Sequence, residues 1–176
     1  YKVAHRRASL RPSIAAALAW LSEPAEDDIV LDPFCGAGTV LIERAHLGRY
    51  RMLYGSDNDA AALEAARANA GPRFKPIQLE RWDAGALPLA NASIRKVITN
   101  LPWGISYGSH GDNRRLYPTW IAELNRVLDS KGLMVLLTAE WHLMRELTAK
   151  RRLNPIKTLR VSILGSPAAI YVCRKV

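Results

Sequence analysis

Two rhythms of apolar residues alternate along the chain. Short runs, "DIVLDPF" at 28–34, "RMLYGSD" at 51–57, "KPIQLERWD" at 75–83, "IRKVITN" at 94–100 and "GLMVLLT" at 132–138, are bounded by acids, amides, Gly or Pro and read as buried strands. Between them the apolar spacing becomes helical. Residues 11–22 carry Ile14, Leu18 and Leu21 at turn-to-turn spacing behind Pro12, which suits a first turn. "TVLIERAHLG" reads as a helix stopped by Gly48, and "NDAAALEAARANAG" as an Ala-rich helix stopped by Gly71. "LYPTWIAELNRVLD" places Leu116, Trp120, Ile121, Leu124, Val127 and Leu128 on one face, and "EWHLMRELTAK" forms a further helix. Strand and helix alternating in this way predict an α/β fold, a mostly parallel sheet with helices on both faces. The end differs: "PIKTLRVSIL" and "AAIYVCRKV" are joined by a few residues around "GSP", too short for a crossover, so those strands are antiparallel to each other.

No linker, repeat or low-complexity tract interrupts the pattern, so residues 1–176 read as a single domain, with 1–22 its N-terminal helical region. No apolar run approaches the roughly 18 residues of a membrane span, and no signal-peptide pattern is present. The first residue is Tyr rather than Met, which suggests a piece of a longer protein. Two distant cysteines, Cys35 and Cys173, lack metal-ligand spacing, as do His5, His46, His110 and His142. A reducing, cytoplasmic setting and no metal are expected. The net charge of +9 changes the picture more. Basic groups at 5–11, at Arg114 and Arg115, at 150–152 and at 174–175 fall in expected loops and ends, where one basic face would attract a polyanion such as RNA. Arg6, Arg7, Arg114 and Arg115 are the candidate RNA contacts. Trp20, Trp120 and Trp141 read as core, and Cys35 as a small buried loop residue.

In an open α/β sheet, ligands bind at the carboxyl ends of the strands. Four runs here end in Asp32, Asp57, Asp83 and Asn100. After the first comes "DPFCGAGT", where Gly36 and Gly38 permit a tight turn and the following helix offers unpaired N–H groups. A P-loop is excluded, because no Lys-Ser/Thr pair follows. Asp57 lies at about the 20-residue spacing at which an acid accepts from ribose hydroxyls in dinucleotide folds, yet "GAG" is not GxGxxG. Asp32 beside the loop would repel a pyrophosphate and suits an ammonium or the loop's own amides. A small cationic adenosyl compound fits better, with Asp83 as a partner for an adenine amino group and Trp82 packing nearby. Each acid taken singly also reads as a helix cap. "TNLPWG" then closes the fourth strand. The Asn100 oxygen and the following carbonyls can hold the hydrogens of an exocyclic amine as its nitrogen rehybridises. Pro102 stiffens the corner and lacks an N–H, and Trp103 offers a face for a flipped-out base.

Taken in order, "DPFCGAGT", "YGSDND", "RWDAGALPL", "TNLPWG" and "LYPTWIAELNRVL" resemble the methyltransferase domain of the THUMP-associated RNA guanine-N2 methyltransferases, over essentially the whole chain. That resemblance implies a class I S-adenosylmethionine-dependent, Rossmann-like fold, with a seven-stranded sheet whose last strand is antiparallel. It implies that Asp32, Gly36 and Gly38 hold the methionine part of S-adenosylmethionine, Asp57 the ribose and Asp83 the adenine, with Pro33, Phe34, Thr39, Asn58, Ala84 and Asn100 in the same site. Asn100, Leu101, Pro102 and Trp103 would take the target guanine, in tRNA as the expected partner. Two departures stand out. Leu101 and Trp103 replace the second and fourth residues of the commoner (N/D)PPY corner, and no part of the 176 residues reads as a THUMP domain. Adenine-N6 or cytosine-N4 methylation of DNA, glutamine methylation of a protein, and a non-catalytic RNA-binding module remain the alternatives. The glycine-bearing segment 104–113 is a candidate lid.

Overall fold

The computed structural model describes residues 10–104, 110–150 and 152–176. Its elements run α1 (Pro12–Leu21), β1 (Ile29–Asp32), α2 (Thr39–His46), β2 (Met52–Ser56), α3 (Ala60–Ala70), β3 (Ile77–Glu80), β4 (Ile94–Asn100), α4 (His110–Val127), β5 (Leu128–Thr138), α5 (Trp141–Ala149), β6 (Asn154–Ile163) and β7 (Ser166–Arg174). The seven strands form one sheet in the order β3-β2-β1-β4-β5-β7-β6. Strands β1 to β5 pair in parallel, and β7 lies antiparallel between β5 and β6. This is the seven-stranded, mixed arrangement that the resemblance implies.

Alternation along the strands sorts the core onto two faces. Leu31, Val97, Met134 and Leu136 join Tyr117, Trp120, Ile121 and Leu124 of α4 and Leu143, Met144 and Leu147 of α5. Val30, Ile98, Val135 and Leu137 join Ala15 and Leu18 of α1, Val40 and Leu41 of α2, and Leu63 and Ala66 of α3. Between β3 and β4 there is no helix. The Arg126 guanidinium fills that role by donating to the carbonyls of Leu87 and Leu89 and to Asn91 Oδ1, while Glu123 accepts from Leu87 N. At the amino ends of the strands, away from the corner, Arg44 and Asp28 form a fully buried ion pair at 2.9 Å, and Arg44 also donates to the Ala25 carbonyl.

Four expectations are corrected. Strand β3 ends at Glu80, so Asp83 lies three residues beyond it; its carboxylate instead accepts from Gly85 N at 2.8 Å and caps its own turn. Helix α4 begins at His110 rather than Leu116, because Asn113 is buried and its amide donates to the Pro102 carbonyl, a tertiary bond that local apolar spacing does not register. The proposed lid is therefore helical over 110–113, and residues 105–109 lie outside the described residues, as do Arg6 and Arg7. Trp20 and Trp141 are not core: they are 71% and 45% exposed, while Trp120 is buried. Among the described residues, the basic groups do not make one face either. Pairing of Leu133 with Arg174 and of Asn154 with Arg174 puts Arg152, Arg174 and Lys175 at the amino end of β5, whereas Arg114 and Arg115 start α4 beside the corner.

One close approach supports the strand end. A Cβ on Gly55 would lie 2.6 Å from Leu79 Cδ2, 2.7 Å from Leu41 Cδ1 and 3.2 Å from Cys35 Sγ. Leu41, Leu79 and Cys35 are all buried, so they have little room to swing aside. Gly55→Ala is expected to destabilise the fold by about 1–3 kcal/mol through overpacking, read as a lowered urea midpoint. An unchanged midpoint would show that β2, α2 and the glycine loop are less tightly packed than this geometry states.

Candidate active site

The glycine loop is gripped from several sides before any ligand arrives. Gly36 and Gly38 take positive φ values of 52° and 78°, which residues with a side chain adopt only with strain. Gly38 N donates to Cys35 O, and Cys35 N donates to Ser56 O at the end of β2. Asp57, one residue past β2, accepts from Gly36 N on one carboxylate oxygen and from Asp59 N on the other, both at 2.9 Å. Asn69, buried on α3, donates to the Ala37 carbonyl at 3.0 Å. A Cβ at Gly38 would meet Ala66 of α3 at 3.3 Å, whereas one at Gly36 would meet nothing within 4 Å. The turn is thus fixed underneath and open above Gly36.

Asp32 ends β1 beneath this opening, buried, accepting from Thr99 Oγ1 at 2.6 Å and from Phe34 N at 3.2 Å. Burial pushes its carboxyl up to about 7; the bonds from Thr99 and Phe34 act the other way, and the nearby Asp57 charge adds to the rise. The same burial and the charges of Asp32 and Asp57 push the Cys35 thiol well above its usual range, so it sits in the loop as a small protonated side chain. Pro33 and Thr39 are buried, Phe34 packs edge-on to Trp120 at 4.8 Å, Ala84 is buried, and Asn58 is exposed beside Asp57. Trp82 is half-buried and tilted against Tyr54.

Asn100, the last residue of β4, stands on the same edge of the sheet one strand from Asp32, through the parallel pairing of β1 with β4. Leu101 is buried and its N–H donates to Leu137 O at 2.9 Å. The Pro102 carbonyl accepts from Tyr117 Oη at 2.7 Å and from Asn113 Nδ2 at 3.0 Å. Burial holds the Tyr117 hydroxyl well above its usual pKa, so its one proton stays in place. That proton goes to Pro102, and Thr138 Oγ1, 2.6 Å away, donates in turn to the phenol while accepting from Glu140 N. The corner is therefore locked to α4, β5 and the start of α5. This corrects the expectation that the Pro102 carbonyl serves the target: it is already engaged by two donors. Trp103 also differs from expectation. It is half-buried, packed against the α1–α3 side of the core, and its indole N–H donates to Asn100 Oδ1 at 2.9 Å.

The strand-end residues predicted from the sequence thus converge along one edge, with Asp83 the most peripheral. Thr99, Asn69, Tyr117, Thr138, Asn113 and Glu140 were not anticipated. Asn69 carried a signal, being the polar residue on the buried stripe Ala62, Leu63, Ala66 and Ala70 of α3. Among the described residues, no helix is long and apolar enough to cross a membrane.

A family profile described as "UPF0020: RMKL-like, methyltransferase domain" matches residues 1–167. Human tRNA (guanine(6)-N(2))-methyltransferase THUMP3 is 31% identical over 180 residues, covering 93% of this chain and 36% of that protein. U6 snRNA (guanine-N(2))-methyltransferase THUMPD2 of Bos taurus is 36% identical over 140 residues, covering 78% of this chain and 27% of its own length. The crystal structure of TrmN from Thermus thermophilus superposes with a TM-score of 0.82 at 28% identity, over 97% of this chain and 50% of that one. The chain thus spans about a third of the length of the human relative and about a quarter of that of the Bos taurus one.

Proposed function

The chain belongs to the UPF0020 family, RMKL-like methyltransferase domain, and from that membership and the strand-end geometry we propose that it transfers a methyl group from S-adenosylmethionine to the exocyclic N2 amine of guanine in RNA, with tRNA the first substrate to test. The observation that carries the reading is the Asn100–Trp103 corner, locked beside a buried carboxylate and a pre-formed glycine turn on one edge of the sheet.

The residues present fit the cofactor. Asp32 is a buried carboxyl held at about 7, a group that gains most from a cationic neighbour such as an amino-acid ammonium. Gly36 leaves open space where a side chain would intrude. Asp57 uses one lone pair of each oxygen on the loop and on Asp59 N, so each oxygen keeps capacity to accept from a ribose hydroxyl. Asp83, with Ala84 behind it, would take the adenine edge. When bound, S-adenosylmethionine supplies an electrophilic methyl on a sulfonium.

An amine on a base is a weak nucleophile because its lone pair is delocalised into the ring. Asn100 Oδ1 and the Leu101 carbonyl would accept its two N–H groups, hold the nitrogen toward the methyl and stabilise the positive charge that develops there. Acceptors fixed before reaction do this without reorganising, and the bonds from Tyr117 and Asn113 to Pro102 keep the corner fixed. Guanine in RNA is favoured over the other exocyclic amines by the activities for which the relatives are named. Arg114 and Arg115, at the start of α4 beside the corner, are placed to meet phosphates, although Arg114 also pairs with Glu146 at 2.8 Å. The buried, unpaired Cys35 and Cys173 support a reducing, cytoplasmic setting.

The test is incubation with S-adenosylmethionine and total tRNA, followed by digestion to nucleosides and mass spectrometry. N2-methylguanosine is the expected product. Methyl groups found only on adenine N6, cytosine N4 or glutamine would replace this reading with one of the alternatives, and cofactor turnover absent with every acceptor would favour a binding module.

A further inference from the structure

Side-chain amides have two nearly isosteric orientations, and only one of them presents an acceptor where Asn100 needs it. The indole N–H of Trp103 is a donor with no acceptor capacity, and it lies 2.9 Å from Asn100 Oδ1. With the amide turned over, that N–H would face an NH₂ group, donor against donor. We propose that Trp103 is the positioning residue of the corner: its indole N–H fixes the Asn100 amide so that the second lone pair of Oδ1, and not Nδ2, is turned to the target amine. The inference rests on the reading of Asn100 above and assigns to Trp103 a role different from stacking on a base.

Placement supports it. Trp103 is half-buried and packed against the core cluster under α1, α2 and α3, so the ring is held by neighbours that the substrate does not displace. The backbone between the two residues is held as well, by Leu101 N on Leu137 O and by the two donors on the Pro102 carbonyl. A rigid donor on a rigid turn selects one amide orientation. It also fixes what the corner can accept: a base edge offering an amine is matched, and a keto edge is not.

Two measurements test this. Trp103→Phe keeps an aromatic ring and removes the N–H. It is expected to lower kcat about 10-fold, less than loss of the acceptor itself, with little change in KM for RNA or in Kd for S-adenosylmethionine. In an Asn100→Asp background either carboxylate oxygen can accept whichever way it faces, so Trp103→Phe should cost less than about 3-fold there, a non-additivity that lost stacking would not give. Equal penalties in both backgrounds, or full kcat in Trp103→Phe, would overturn the proposal. The second measurement needs no activity. In the ligand-free protein the Trp103 Nε1–H resonance, assigned from its loss in Trp103→Phe, should move upfield and exchange faster with solvent in Asn100→Ala. An unmoved resonance would show that the bond is not made, whatever methyl acceptor the enzyme uses.

Discussion

Asn100→Ala is expected to lower kcat for methyl transfer about 10²–10³-fold, the range seen when one pre-oriented polar group is removed from a transition state, while Kd for S-adenosylmethionine measured by calorimetry changes little. The reason is the division of labour along the sheet edge. Loop, Asp32 and Asp57 are held by their own contacts, with Thr99 rather than Asn100 bonded to Asp32. Removing the amide therefore leaves the cofactor side intact and takes away an acceptor that matters only as charge develops on nitrogen. It also strips the Trp103 indole of its partner, a loss of about 1 kcal/mol of stability for a half-buried donor, so melting must be followed in parallel. A folded variant with kcat within twofold of the parent would remove Asn100 from the mechanism.

Asp32→Asn is expected to do two opposite things: weaken S-adenosylmethionine binding by 100-fold or more, about 2.7 kcal/mol, and leave the ligand-free protein at least as stable at pH 8. The carboxyl's folded pKa, about 7, stands above its ordinary value of 3.8. Between those values the native state holds a proton that the unfolded chain releases, so this group's contribution to stability falls as pH rises. Above about 7 the charge is buried at a cost, which the neutral amide avoids. Cofactor binding runs the other way, because an ammonium needs the carboxylate. Affinity should fall as pH drops below about 7 in the parent and show no such step in Asp32→Asn. A variant that binds normally, or a parent whose affinity is flat from pH 8 to 6, would separate Asp32 from the ligand.

Much of this was legible because local rules and tertiary packing agree. β1, the second half of β4 and the second half of β5 are buried on both faces, so their apolar runs stand out, and Gly48 and Gly71 end helices where the spacing stops. Asp32 was readable for the same reason, because it interrupts an apolar run, whereas Asp83, behind Glu80, Arg81 and Trp82, falls three residues past its strand. What was missed depends on contacts between distant segments. Nothing local in "SHGDNRR" says helix, since the start of α4 is fixed by Asn113 reaching the Pro102 carbonyl and the Glu140 side chain. Tyr117 is absent from the apolar face that spacing predicts for this helix, although it is fully buried and its hydroxyl locks the corner. Trp141 sat at core spacing but lies on the first turn of α5, before the buried stripe begins at Leu143. Trp103 was recognised as part of the site, yet whether its ring faces a base or its N–H faces Asn100 is a matter of rotamer, which spacing does not encode.

The most direct test uses a tRNA transcript carrying inosine at the methylated guanosine, once that position has been mapped by digestion. Inosine keeps the ring nitrogens, the 6-keto group and the ribose, and lacks only the exocyclic amine that Asn100 and Leu101 are placed to hold. Methyl transfer should vanish on the inosine transcript while the parent transcript is methylated. Undiminished transfer to inosine would mean that another atom is the acceptor and that the corner does not act on the amine.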